Sequence, residues 1–139
     1  MEPSGEPAPA HLELKIEEPE PNVKLLRLFG DVDLHTCGQL EEALGKLLSR
    51  TPKALLLELS RSFYMSSAGI GLLMTCHVSL TKRRSRLCVI APSEELSRTL
   101  ELVGFFEIVE TAPSVEAALQ KLRDEEDEYE EKPGAGSGP

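Results

Sequence analysis

Two stretches decide the fold: Ala54-Leu55-Leu56-Leu57-Glu58-Leu59 and, four residues later, Tyr64-Met65-Ser66-Ser67-Ala68-Gly69-Ile70-Gly71. The first is almost wholly apolar, as expected of a central strand covered on both faces. The second reads as a turn with two serines that opens a helix running to about Thr81, with Ile70, Leu73, Met74, His77 and Leu80 along one side. The first N–H groups of a helix lack intrahelical partners and carry about half a positive charge. An anion is favoured there, whether bound or attached covalently to a serine. The pair of stretches therefore predicts a strand that delivers a switchable serine to one end of a sheet.

The flanking sequence extends this pattern. His11 to Glu17 alternates apolar and polar residues, Glu18-Pro19-Glu20-Pro21-Asn22 reads as a turn, and Val23 to Phe29 gives a second strand, making a hairpin. Gly30-Asp31-Val32-Asp33 breaks the run. Thr36 is placed to cap a helix to about Ser49, with Leu40, Ala43, Leu44, Leu47 and Leu48 on one face, and Thr51-Pro52 ends it. Leu87 to Ile90 is a strand. Pro92-Ser93 opens a helix with Leu96, Leu100 and Val103 on one face, Gly104 stops it, and Phe105 to Val109 includes a short strand. Pro113-Ser114 opens a last helix with Val115, Ala118, Leu119 and Leu122 facing inward. The order β-β-α-β-α-β-α-β-α predicts one α/β domain over 11–123, a mixed and mostly parallel sheet with about four helices packed on it. Residues 1–10 and the acidic segment 124–139 are expected to be disordered tails.

The chain has 139 residues and a formal net charge of −9. That charge belongs to the ends. Residues 1–22 hold one basic and six acidic residues, and 123–139 hold two basic and seven acidic. The body, 23–122, has twelve basic and eleven acidic residues, a near neutrality that argues against nucleic-acid binding. No apolar stretch approaches the roughly 20 residues of a membrane span. The first residues, Met1-Glu2-Pro3-Ser4-Gly5, lack a basic and apolar leader, so a cytoplasmic protein without membrane insertion is expected. Cys37, Cys76 and Cys88 are widely spaced and form no metal or redox motif. Neither a metal nor a cofactor is expected.

An enzyme would need more than a serine. Nucleophilic chemistry requires a base and an oxyanion hole. His11 and His35 lie far back in the sequence, and His77 falls ten residues down the helix, roughly 15 Å from Ser67 at 1.5 Å per residue. Residue 65 is Met, so the segment is not Gly-x-Ser-x-Gly, and no phosphate-loop or dinucleotide fingerprint occurs. No catalytic residue is assigned.

Four segments occur in register: Gly30-Asp31-Val32-Asp33; Leu57-Glu58-Leu59 leading to Phe63-Tyr64-Met65-Ser66-Ser67-Ala68-Gly69-Ile70-Gly71; Leu102-Val103-Gly104-Phe105; and Ser114-Val115-Glu116-Ala117-Ala118-Leu119. Together they resemble the STAS domain of bacterial anti-sigma factor antagonists, over about 23–122. The resemblance implies a protein that binds an anti-sigma factor with serine kinase activity and so frees a sigma factor. The kinase phosphorylates the antagonist at the helix start, and a PP2C-type phosphatase reverses this. Laid on the family motif Asp-Ser-(Ser/Thr)-Gly-(Leu/Ile)-Gly, the phosphoacceptor falls on Ser67, with Ser66 as the alternative. Ser66 stands where the family has Asp, so the charge that would precede the acceptor is missing. Asp33 matches the acidic residue near the partner surface, and Asp31 the more variable acidic place. The implied partner-binding set is Asp31, Asp33, Ser66, Ser67, Ala68 and Gly69. The plain alternatives are that both serines only cap the helix and that both aspartates only bond local N–H groups. Gly69 and Gly71 are expected to permit close helix–sheet packing. A scaffold subunit of a larger STAS assembly, or an accessory subunit of a membrane transport complex, are the other functions such a domain implies.

Overall fold

The structure is a computed structural model that describes residues 12–137, with side chains described through residue 126. Five strands form one sheet in chain order: β1 (Glu13–Glu20), β2 (Val23–Phe29), β3 (Ala54–Arg61), β4 (Arg86–Ile90) and β5 (Glu110–Ala112). β1 and β2 are antiparallel, and every later pair is parallel. The helices are α1 (Cys37–Ser49), α2 (Ser67–Lys82), α3 (Glu94–Leu102) and α4 (Val115–Ser137). This is the α/β architecture that the sequence predicts, a mixed and mostly parallel sheet with four helices.

Alternation along the strands divides the core. Leu26, Leu28, Leu55, Leu57, Leu59, Leu87 and Val89 point to the side where α1, α2 and α3 contribute Leu40, Leu44, Leu73, Leu80, Leu96 and Leu100. Val23, Leu25, Ala54, Leu56, Cys88 and Ile90 point to the other side and pack on Ala118 and Leu119 of α4. β3 is buried from Ala54 through Leu57 because it has helices on both faces.

Several boundaries differ from the sequence reading. β1 runs on through Glu20, so the turn is only Pro21-Asn22, with Asn22 at φ 67°. An edge strand tolerates Pro19, and the pairing register shifts between Glu17 and Glu20. Glu18 then closes the turn by accepting from the Asn22 amide at 2.8 Å. The buried stripe of α2 is Gly69, Leu73, Cys76 and Leu80, with Ile70, Met74 and His77 only half-buried beside it. Val103 lies just past the end of α3 and is 60% exposed. Gly104, at φ 74°, leads into a single 3-10 turn, Phe105–Glu107, that buries Phe105. The short strand follows it as Glu110–Ala112.

The largest difference is at the C-terminus. The expected domain ended at 123 with a disordered acidic tail, but α4 continues to Ser137. At its start the acidic run meets opposite charge from the sheet. Arg123 pairs with Glu20, Glu125 with Arg86, and Glu126 with Lys53 at 2.6 Å. The tail expected over residues 1–10 lies outside the described residues.

Candidate functional site

The strands β2 and β3 end side by side, and their following loops stay together. The Gly30 amide donates to the Arg61 carbonyl at 3.1 Å, and the Val32 amide to the Tyr64 carbonyl at 3.0 Å. The Ser66 amide returns to the Val32 carbonyl at 2.8 Å, making a one-rung parallel bridge between Val32 and Met65. Two loops that are distant in sequence thus form one surface at the carboxyl ends of the parallel strands, where open α/β sheets present their ligand sites.

Ser66 is the N-cap of α2. Its backbone is extended (φ −69°, ψ 166°), and Oγ accepts from the Gly69 amide at 3.2 Å. Ser67 is the first helical residue and is exposed, as is Ala68. No acidic residue occupies the first turn of α2. The two adjacent serines are therefore unequal: one hydroxyl is used by the backbone, and the other faces solvent at the positive end of a 16-residue helix.

Gly69 is turned inward. A Cβ placed on it would lie 2.7 Å from Val32 Cγ1 and 2.8 Å from Met65 Cγ. It is buried and belongs to the packing of α2 on the loop bridge. Gly71 differs from expectation in the other sense. It is exposed, and a Cβ there would meet nothing within 4 Å.

The two aspartates also divide. Asp33 Oδ1 accepts from the His35 amide at 2.8 Å and the Thr36 amide at 3.1 Å. The His35 N–H in particular holds the Asp33 carboxyl below the usual carboxylate range; desolvation opposes it, and the Thr36 amide adds to the lowering. Thr36 sits at the N-cap of α1 but does not cap through its side chain, contrary to expectation. Its hydroxyl donates to the Asp31 carbonyl at 2.7 Å and accepts from the Asp33 amide at 2.9 Å. Asp31 reaches across the loops instead: its Oδ1 accepts from the amides of Phe63 at 3.0 Å and Tyr64 at 3.1 Å.

Three exposed residues of this surface receive no role from the sequence, although Phe63 and Tyr64 lie in one of the four motif segments. Leu34 is 88% exposed, Phe63 50% and Tyr64 53%. They belong to no periodic apolar run, and large apolar residues in loops beside a charged turn are the one cue that marks them. Leu34 directly follows Asp33, and Phe63 and Tyr64 are the residues whose amides Asp31 holds.

His77 lies in the middle of α2, away from Ser67, and its Nδ1 is buried without a partner among the described residues. Among the described residues no cluster of three or more His, Cys, Asp or Glu side chains is placed to hold a metal ion. No described helix is long and apolar enough to cross a membrane.

Comparison with known proteins places this geometry among relatives. Residues 15–118 match the STAS domain family. The chain is 29% identical over 101 residues to an anti-sigma-B factor antagonist of Listeria monocytogenes, covering 71% of this chain and 89% of that protein. It is 27% identical over 101 residues to the anti-sigma-F factor antagonist RsfB of Mycobacterium tuberculosis, covering 73% and 82%. The crystal structure of an anti-sigma factor antagonist from Mycobacterium paratuberculosis superposes with a TM-score of 0.75 at 26% identity, covering 84% of this chain and 97% of that one.

Proposed function

The chain belongs to the STAS domain family, and on that premise we propose that it is an anti-sigma factor antagonist. It binds an anti-sigma factor, and the bound anti-sigma factor releases its sigma factor. The partner carries serine kinase activity, phosphorylates Ser67, and thereby loses its hold; a PP2C-type phosphatase restores the binding form. The exchange takes place in the cytoplasm, where sigma factors act, and the chain itself contributes recognition and not catalysis.

The observation that carries this reading is the contrast between Ser66 and Ser67. A hydroxyl that must reach a kinase has to be free of the fold, and Ser67 is the exposed one, while Ser66 Oγ is bonded to the Gly69 amide. Around Ser67 the surface offers what a protein interface needs. Leu34, Phe63 and Tyr64 supply apolar anchors, and Asp33 supplies a charge near the rim. The family's Asp is absent at position 66, so recognition of the acceptor rests on this surface and on the helix end.

Affinity capture with the tagged chain, with and without ATP, tests the proposal. A protein with a kinase-type ATPase fold should be retained without ATP and released with it, as phosphate appears on Ser67. Retention of a transporter ATPase, or of other STAS proteins alone, overturns it.

A further inference from the structure

We infer that Asp31 is a positioning residue for the phosphoacceptor loop and not a contact for the partner. The inference rests on the proposed function for its kinase arm but on geometry for its core. The family motif is what places Asp31 in the partner-binding set, and the residue is exposed. Its bonds point the other way.

The ladder between the two loops explains why. The last paired rung of β2 and β3 joins Phe29 to Arg61, and the next rung beyond the sheet joins Val32 to Met65. Between those rungs one chain advances three residues and the other four. The longer segment therefore has backbone N–H groups with no opposite carbonyl, as at a bulge. The amides of Phe63 and Tyr64 are the groups left over, and a single oxygen of Asp31 accepts both, at 3.0 and 3.1 Å. Two consecutive N–H groups directed at one anionic oxygen form a small nest, here filled from within the chain across 32 residues of sequence separation. The carbonyl of Asp31 is used too, accepting from the Thr36 hydroxyl at 2.7 Å. One residue thus joins the mismatched loop ahead of Ser66-Ser67 to the turn that holds Asp33.

The consequence is mechanical. Ser67 follows Met65 by two residues, so whatever fixes residues 63–65 fixes where the acceptor hydroxyl points. The requirement on residue 31 is an oxygen acceptor at Oδ1, and its charge is secondary. That separates Asp31 from a partner contact, for which the charge would be the functional property.

The test uses the full chain with Asp31→Ala and Asp31→Asn. Asparagine keeps the Oδ1 acceptor and removes the charge. In the free chain, hydrogen exchange of the Phe63 and Tyr64 amides should quicken about tenfold or more in Asp31→Ala, while core amides of β3 are unchanged, and Asp31→Asn should restore slow exchange. With the kinase of the proposed function and ATP, the phosphorylation rate at saturating chain should fall about tenfold in Asp31→Ala and stay within about twofold of wild type in Asp31→Asn. Equal loss of phosphorylation in both variants overturns the inference in favour of a charge contact. Unchanged amide exchange in Asp31→Ala overturns it as well. If wild-type chain is not phosphorylated at all, the functional reading fails, and the exchange arm still decides whether Asp31 holds the loop.

Discussion

Val32 and Gly69 approach so closely that a Cβ on Gly69 would lie 2.7 Å from Val32 Cγ1. Val32 is fully buried and fixed by its bridge to Met65, so it has nowhere to move. Gly69→Ala should therefore push α2 away from the loop bridge and cost about 1–3 kcal/mol. Gly71→Ala, on the open side of the same helix, should be neutral or stabilising by up to ~1 kcal/mol. Thermal unfolding of the two variants checks the contrast, and equal effects would refute the packing role.

Acid should loosen the turn at Asp33 only well below neutrality. The His35 N–H foremost, with help from Thr36, lowers the Asp33 pKa in the folded chain. A group with a depressed folded pKa contributes stability above its unfolded value, about pH 4, and loses it as pH falls through the folded value. Chemical shifts of the His35 and Thr36 amides should accordingly titrate with a midpoint below that of an ordinary aspartate. A midpoint at or above it would contradict the two amide bonds.

Only one thiol should react readily. Burial pushes the Cys76 and Cys88 thiols up to about 11, whereas Cys37 is half-exposed at the start of α1. At pH 8 roughly a thousandth of each buried thiol is ionised. A disulfide reagent should label Cys37 first, and the other two on the timescale of unfolding. Rapid labelling of two or three thiols in the native chain would show a looser core.

Much of this fold was legible because apolar periodicity dominates it. The run Ala54 to Leu59 reads as a two-faced strand, and the four motifs fall where β2, β3, α2, α3 and α4 meet the loops. What was not legible depends on pairing across distance. Nothing near Asp31 in sequence reveals that its carboxylate serves Phe63 and Tyr64, because the mismatch it fills exists only once β2 and β3 are in register. The helical continuation past Arg123 was hidden for a related reason. Seven acidic residues in eight read as self-repelling, and nothing near them in sequence shows that Glu125 meets Arg86 of β4 and Glu126 meets Lys53, just ahead of β3. Likewise, Gly69 and Gly71 are equivalent in the sequence and opposite in the structure.

The continuation of α4 should contribute modestly and in a salt-dependent way. Its described ion pairs are Arg123 with Glu20, Glu125 with Arg86 and Glu126 with Lys53, all at least partly exposed. Such pairs are worth about 0.2–1 kcal/mol each and are screened by salt. A chain ending at Leu122 should unfold a few degrees lower than the full chain at low ionic strength, with the gap narrowing in concentrated NaCl. A gap that persists unchanged in salt would assign the effect to apolar contacts.

The decisive substitutions concern the two serines. A phosphate brings about −1.5 to −2 charges at pH 7. On Ser67 it would sit at the start of α2, where the helix end and the absence of acidic residues in the first turn favour it. The fold should survive, but a partner face docked beside Asp33 would have to desolvate a dianion. A loss of about 2.8 kcal/mol in that contact lowers affinity ~100-fold, enough for a switch. Ser67→Asp should therefore fold normally and fail to bind, and Ser67→Ala should bind and resist release by ATP. Ser66→Ala removes the bond from the Gly69 amide and should cost about 0.5–2 kcal/mol of stability while leaving the acceptor in place. Mass mapping after incubation with kinase and ATP reads the outcome directly. Phosphate on Ser66, whose Oγ is already used as a cap, would overturn the assignment, and so would phosphate on neither serine when the partner is demonstrably bound.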